Sequence, residues 1–183
     1  DIMLDYIALV KEKLGYGAKI LNLGGGYGVR YVESDPHLDI EKSIGEVSVH
    51  IKKKCSENGI DMPKILMEPG RSIVADAGLT LYSVGSVKTI TGYKSYVAID
   101  GGMTDNPRYA LYKSEYSSII ANKAKEEADF CCAIAGKCCE SGDIIQEDVH
   151  IAKPEIGDII AVLTTGAYNY SMASNYNRIP RPP

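Results

Sequence analysis

The feature that most constrains this chain is a change of hydrophobic period near residue 78. Before it, Met3, Ile7, Val10 and Leu14 recur at helical spacing, and Ile40, Ile44, Val47 and Ile51 repeat the pattern from about Asp39. Such spacing marks one apolar face of an amphipathic helix. Gly15 or Gly17 is placed to end the first helix, and Gly59 the second. Each helix is followed by a short apolar run, residues 19–23 and 64–67. One closes on Gly24-Gly25-Gly26-Tyr27-Gly28, the other on Glu68-Pro69-Gly70-Arg71. Helix, strand, loop, helix, strand is the order of parallel α/β architecture. From Leu79 to Ile90 the period becomes two, and further strand-like runs stand at 96–99, 116–121, 130–135 and 158–163. An antiparallel β-domain is expected there, with Gly- and Pro-rich connections. The sequence thus predicts an α/β part over 1–78 and an all-β part over 79–183.

Composition removes several classes of function. The 183 residues carry a net charge of −4, and no basic block exceeds Lys52-Lys53-Lys54. That balance argues against nucleic acid as a partner. No apolar run approaches the ~20 residues of a membrane-spanning helix, so no membrane partner is expected. The five cysteines are odd in number and lack the spacing of a disulfide framework. A reducing cytoplasmic setting is therefore expected. The chain opens without Met and stops at Pro180-Arg181-Pro182-Pro183 with no closing element, so it reads as a fragment of a longer protein.

Five stretches could carry chemistry. Gly24, Gly25 and Gly26 end a strand and expose backbone N–H groups to an anion, or simply make a tight turn. The spacing fits neither the dinucleotide fingerprint, which would need glycine at Val29, nor a nucleotide P-loop. Glu68-Pro69-Gly70-Arg71 follows the second parallel strand, and ligands bind at the carboxyl ends of such strands. Its alternative is a solvated turn with a surface ion pair. Residues 100–112 form a polar segment holding Arg108, Tyr109 and Tyr112, readable as a site or as a mobile surface loop. Cys131-Cys132 and Cys138-Cys139 could suggest a metal cluster. Neighbours on a strand point to opposite faces, however, and the spacing matches no zinc pattern, so no metal is expected. Residues 164–177, from Thr164 to Asn177, are too polar for a core strand.

Taken in order, LNLGGGYG, EPGR, DGGMTDNPRYALY, CCESGD and TGAYNYSMASNYN resemble the C-terminal part of the diaminopimelate decarboxylases. These are pyridoxal-phosphate enzymes of the alanine-racemase and ornithine-decarboxylase fold group. The resemblance implies that residues 1–78 are the last βα units of a (β/α)8 barrel and residues 79–183 a β-sandwich or β-barrel domain. It also implies decarboxylation of meso-2,6-diaminopimelate to L-lysine. Gly24, Gly25 and Gly26, with Gly70 and Arg71, would lie at the cofactor phosphate, Pro69 would also contact the cofactor, and Glu68 would face the pyridine nitrogen. Arg71, Arg108 and Tyr112 would bind a substrate carboxylate. Glu140 would meet the distal ammonium, Cys139 would donate the proton, and Tyr168 would contact cofactor and substrate. The family's Cys-Glu loop enters the neighbouring subunit's site, which implies a catalytic homodimer. Its Schiff-base lysine lies in an early barrel strand, so these residues alone are expected to be inactive. The alternatives are a related decarboxylase of ornithine, arginine or carboxynorspermidine, or a non-catalytic homologue.

Overall fold

A computed structural model describes residues 1–182, which divide into two compact units. The first comprises Asp1–Gly28 and His37–Ser72; the second comprises Val29–Pro36 and the chain from Ile73 onward.

In the first unit, helix α1 (Ile2–Leu14) ends at Gly15, whose φ of 66° is left-handed and lets its N–H reach Lys11 O. Helix α2 (Ile40–Glu57) starts at Asp39, whose carboxylate accepts from Lys42 N at 2.9 Å. Strands β1 (Ile20–Asn22) and β2 (Lys64–Leu66) pair in parallel, Leu21 opposite Ile65. Leu4, Ile7, Leu21, Ile51, Cys55 and Ile60 form this unit's core. The expected apolar stripes are only partly used. Within the unit, Met3, Leu14, Ile40, Ile44 and Val47 remain exposed, whereas Leu4 and Cys55, off those stripes, are buried. A two-stranded sheet covers little of a helix, and the helices bury Leu4 and Ile7 on α1 and Ile51 and Cys55 on α2.

A short helix, α3 (Arg71–Val74), follows β2. The second unit then holds β3 (Leu79–Ile90), β4 (Lys94–Ile99), β5 (Ser118–Ile120), β6 (Phe130–Ala135), β7 (Ile144–Ile151) and β8 (Ile159–Leu163). They form one sheet in the order β5-β8-β3-β4-β6-β7. The long β3 pairs with β8 through residues 79–83 and with β4 from Val84 onward, its register shifting at Gly85. Such an irregularity bends a strand and lets one strand serve two neighbours. The expectation of a wholly antiparallel sheet is corrected in one ladder: β4 and β6 run parallel, Val97 opposite Ile134. The reason is the connection, since the chain between them passes through helix α4 (Arg108–Tyr112) and then β5 at the far edge of the sheet before it reaches β6. A crossover of that length permits parallel pairing where a tight hairpin cannot.

The outer strands meet side by side. Ser118 Oγ on β5 donates to Gln146 Oε1 on β7 at 3.0 Å, curling the sheet toward closure. Val97, Ile134, Ile145, Ile160 and Val162 are fully buried inside it. Strand β7 was not among the expected runs, because Gln146, Glu147 and Asp148 interrupt its apolar pattern. Val29–Pro36 belongs to this unit through Tyr31, whose carbonyl accepts from Ser117 N and Oγ and whose ring meets Tyr116 edge-on at 5.2 Å.

Candidate active site

At the carboxyl end of β1 and β2 the backbone pairing continues past the strands. Leu23 N donates to Leu66 O and Glu68 N to Gly24 O, which sets the glycine loop beside Glu68. The three glycines serve different ends. Gly24 and Gly26 take φ of 71° and 95°, a region that side chains disfavour. Gly25 passes so close to Glu68 O that a Cβ would stand 2.5 Å from it. Asn22 organises the corner: its carbonyl oxygen accepts from Gly24 N at 2.8 Å and its amide donates to Glu68 Oε1 at 2.5 Å. Asn22 is not among the expected site residues, although an Asn just ahead of a glycine loop is the signature of an Asx turn. Pro69 and Gly70 are exposed, and Arg71 opens α3 half-buried.

These features suit a phosphorylated, pyridine-bearing cofactor. Backbone N–H groups without neighbouring Cβ atoms can approach a phosphate, and a carboxylate held in place by an amide can fix a proton on a ring nitrogen.

In the second unit, residues 100–107 are not a mobile surface loop. Thr104, Asp105, Asn106 and Arg108 are buried. Asp105 accepts from Tyr82 Oη, from Gly102 N at 2.9 Å and from Thr104 Oγ1. Burial raises its pKa, although those hydrogen bonds oppose the rise. Burial, then the Asp105 charge, pushes the Tyr82 phenol far above its ordinary value. The pair is thus a buried, hydrogen-bonded strut, not a surface ion site.

This strut carries Arg108, the first residue of α4. Its Nη2 donates to Ser114 Oγ at 3.3 Å, and its guanidinium carbon lies 5.7 Å from the Tyr31 ring centre and 5.8 Å from that of Tyr112. Three buried donors here lack an acceptor among the described residues: Arg108 Nε, Asn106 Nδ2 and Asn169 Nδ2. Unsatisfied buried donors are costly, and an incoming carboxylate would relieve the guanidinium. Tyr112 remains largely exposed beside it.

The loop after β6 carries Cys138, Cys139 and Glu140. Asp143 ties it to the Arg108 segment, for its carboxylate accepts from Met103 N at 2.6 Å and from Cys138 N at 2.7 Å. Gly102 and Gly136 leave room for that carboxylate, since a Cβ on either would collide with it. Asp143 stands in the CCESGD motif but is not among the expected site residues. Burial raises the Cys138 thiol pKa, whereas Cys139 and Glu140 are exposed. Cys131 and Cys132 point to opposite faces, one exposed and one buried, and burial pushes the Cys132 thiol up to about 12.

Tyr168 precedes helix α5 (Asn169–Met172) with φ of 71° and ψ of −27°. A tyrosine in that region is under backbone strain. Its position is set by Gly166, whose N–H donates to Ala75 O and which faces Gly78 so closely that neither could carry a side chain.

The first unit holds a glycine loop beside a braced carboxylate, and the second holds a buried guanidinium and a loop bearing an exposed thiol and carboxylate. The chain belongs to the pyridoxal-dependent decarboxylases: the model of that family, described as "Pyridoxal-dependent decarboxylase, C-terminal sheet domain", matches residues 9–166. Within the family it is similar to diaminopimelate decarboxylases. It is 51% identical to that of Bacillus methanolicus over 94% of this chain and 40% of that protein. It is 49% identical to that of Bacillus subtilis over 94% of this chain and 39% of that protein. In three dimensions it matches the diaminopimelate decarboxylase of M. jannaschii in complex with L-lysine, with a TM-score of 0.86 and 35% identity, over 98% of this chain and 40% of that one. The chain therefore spans about two fifths of the length of the relatives it matches.

Proposed function

We propose that this chain is the C-terminal part of an enzyme that decarboxylates meso-2,6-diaminopimelate to L-lysine, the last step of lysine biosynthesis. The observation that carries the reading is its likeness to diaminopimelate decarboxylases over nearly its whole length. L-lysine in the M. jannaschii complex supports the product. Pyridoxal 5'-phosphate, when bound, supplies the sink for the electron pair left as carbon dioxide departs.

The chain's residues divide the remaining work. Gly24, Gly25, Gly26, Gly70 and Arg71 hold the phosphate, and Pro69 contacts the cofactor. Glu68, braced by Asn22, keeps a proton on the ring nitrogen. Arg108 and Tyr112, with Arg71, bind a substrate carboxylate; a planar guanidinium fork matches that group. Glu140 takes the distal ammonium, and Tyr168 contacts cofactor and substrate. Cys139 holds the proton delivered to the carbon that has lost its carboxylate.

We also assign residues 1–78 to the last βα units of a (β/α)8 barrel and the remainder to its β-domain. Parallel sheets are normally covered on both faces, and the apolar Ile20, Leu23, Leu66, Ile40 and Ile44 left exposed here fit strands and helices that the rest of a barrel would enclose. The working enzyme is a cytoplasmic homodimer whose sites are shared between subunits. Glu140, rather than the Asp typical of ornithine enzymes, favours the longer diamino diacid.

The test uses the full-length enzyme. Cys139→Ala is expected to keep the cofactor's absorbance but lose about a hundredfold or more in turnover. Wild-type turnover would remove Cys139 from the mechanism. Faster turnover of ornithine than of meso-diaminopimelate by the unmodified enzyme would overturn the substrate.

A further inference from the structure

Of the polar stretch 164–177, the proposed function uses only Tyr168. Its far end, however, reaches the proposed proton donor. Asn177 Oδ1 accepts from Cys139 N at 2.7 Å, across 38 residues of sequence. We infer that Asn177 is a positioning residue for Cys139, holding the donor's backbone so that the thiol is presented in one place. The inference rests on the reading of Cys139 as proton donor.

The loop's hydrogen bonds show why this contact matters. Three successive N–H groups point to three different acceptors. Cys138 N goes to Asp143 Oδ2 at 2.7 Å, Cys139 N to Asn177 Oδ1, and Glu140 N to Cys138 O at 2.8 Å. Two of the three acceptors belong to the loop itself, so they fix its internal shape. Among the described residues, only Asn177 ties the donor residue to a separate segment. Cys139 and Glu140 are exposed, hence no core packing does that job instead.

The segment bearing Asn177 is itself anchored. Ser174 N donates to Thr104 O at 2.8 Å, Asn175 Nδ2 to Ile179 O at 3.0 Å, and Tyr176 Oη lies 3.5 Å from Glu140 Oε2. Asn177 has φ of 53° and ψ of 20°. Asn enters that left-handed region more readily than other side chains, and Gly more readily still. Glycine at this position would keep the turn and lose the acceptor, whereas Asp would keep both the reach and the acceptor. The backbone and side-chain roles can therefore be separated by substitution.

Proton delivery is sensitive to small displacements of the donor. In the full-length enzyme, Asn177→Gly is expected to lower kcat about tenfold with KM changed less than about twofold. Asn177→Asp should restore most of that loss. In a Cys139→Ala background, Asn177→Gly should cause no further fall, because there is no thiol left to aim. Wild-type kcat in Asn177→Gly, or an equal loss with and without the thiol, would overturn the positioning role while leaving Cys139 as donor. Undiminished turnover in Cys139→Ala alone would overturn the donor assignment, and this inference with it.

Discussion

Arg108 shows how much of this molecule's chemistry depends on the surroundings of single side chains. It stands in a segment whose sequence looks like a solvated loop, yet it is buried between Tyr31 and Tyr112 with its Nε unsatisfied by the protein. A guanidinium so placed offers a carboxylate two parallel donors, which an ammonium cannot. Arg108→Lys in the full-length enzyme should raise KM for the diamino diacid about tenfold or more while the cofactor absorbance stays unchanged. An unaltered KM would mean that the clamp lies elsewhere. Asn22, Asp105, Asp143 and Asn177 teach the same lesson from the other side. Each is a short polar residue that accepts from a backbone N–H and so holds a loop in place. Their partners lie up to 46 residues away, as with Asn22 and Glu68, so spacing along the chain does not reveal them.

Among the elements, the start of β8 depends on a polar clasp. Asp158, just ahead of the strand, accepts from Lys123 Nζ, Asn122 Nδ2 and Glu155 N, each at 2.7 Å. Burial works to raise the Asp158 pKa, but Lys123 and Asn122 outweigh it and the net shift is downward. The hydrogen bond to Asp158 leads the contributions that raise the pKa of Lys123. The signs follow by linkage. A lowered carboxyl pKa adds stability above the ordinary aspartate value, and that stability disappears as pH falls through the lowered one. The raised lysine pKa adds stability below the ordinary lysine value, lost as pH rises through the raised one. Asp158→Asn should therefore lower the melting temperature by about 3 °C at neutral pH, and the two curves should converge as pH falls through the lowered carboxyl pKa. A constant difference down to acid pH would show that charge is not what the clasp contributes. Element type was largely legible beforehand. Period-two alternation marked β3 to its ends, and the apolar run over β6 did likewise. Strand β7 was missed because its middle is polar where it faces solvent, as with Glu147 and Asp148.

For the whole molecule, the proposed homodimer places Glu68 of one subunit and Cys139 of the other in a common site. Glu68→Ala and Cys139→Ala enzymes, each inactive, should complement when unfolded together and refolded as a mixture. Random pairing gives half heterodimers, each with one intact site, so activity should return to about a quarter of wild type. No recovery would argue that each subunit completes its own site. Residue order alone settled the change from helix-and-strand to strand-rich texture, the glycine loop after β1, and the five motifs that carry the family resemblance. Those are local properties: periodicity, turn chemistry and the order of motifs survive without knowledge of what packs where. Tertiary structure decided the parallel β4–β6 ladder, the burial of residues 104–108, the attachment of Val29–Pro36 to the sheet unit, and the grip of Asn177 on Cys139. Each of these joins residues distant in sequence. Burial and hydrogen-bond partnership are fixed by the neighbours a fold supplies, and the chain's own order does not name them.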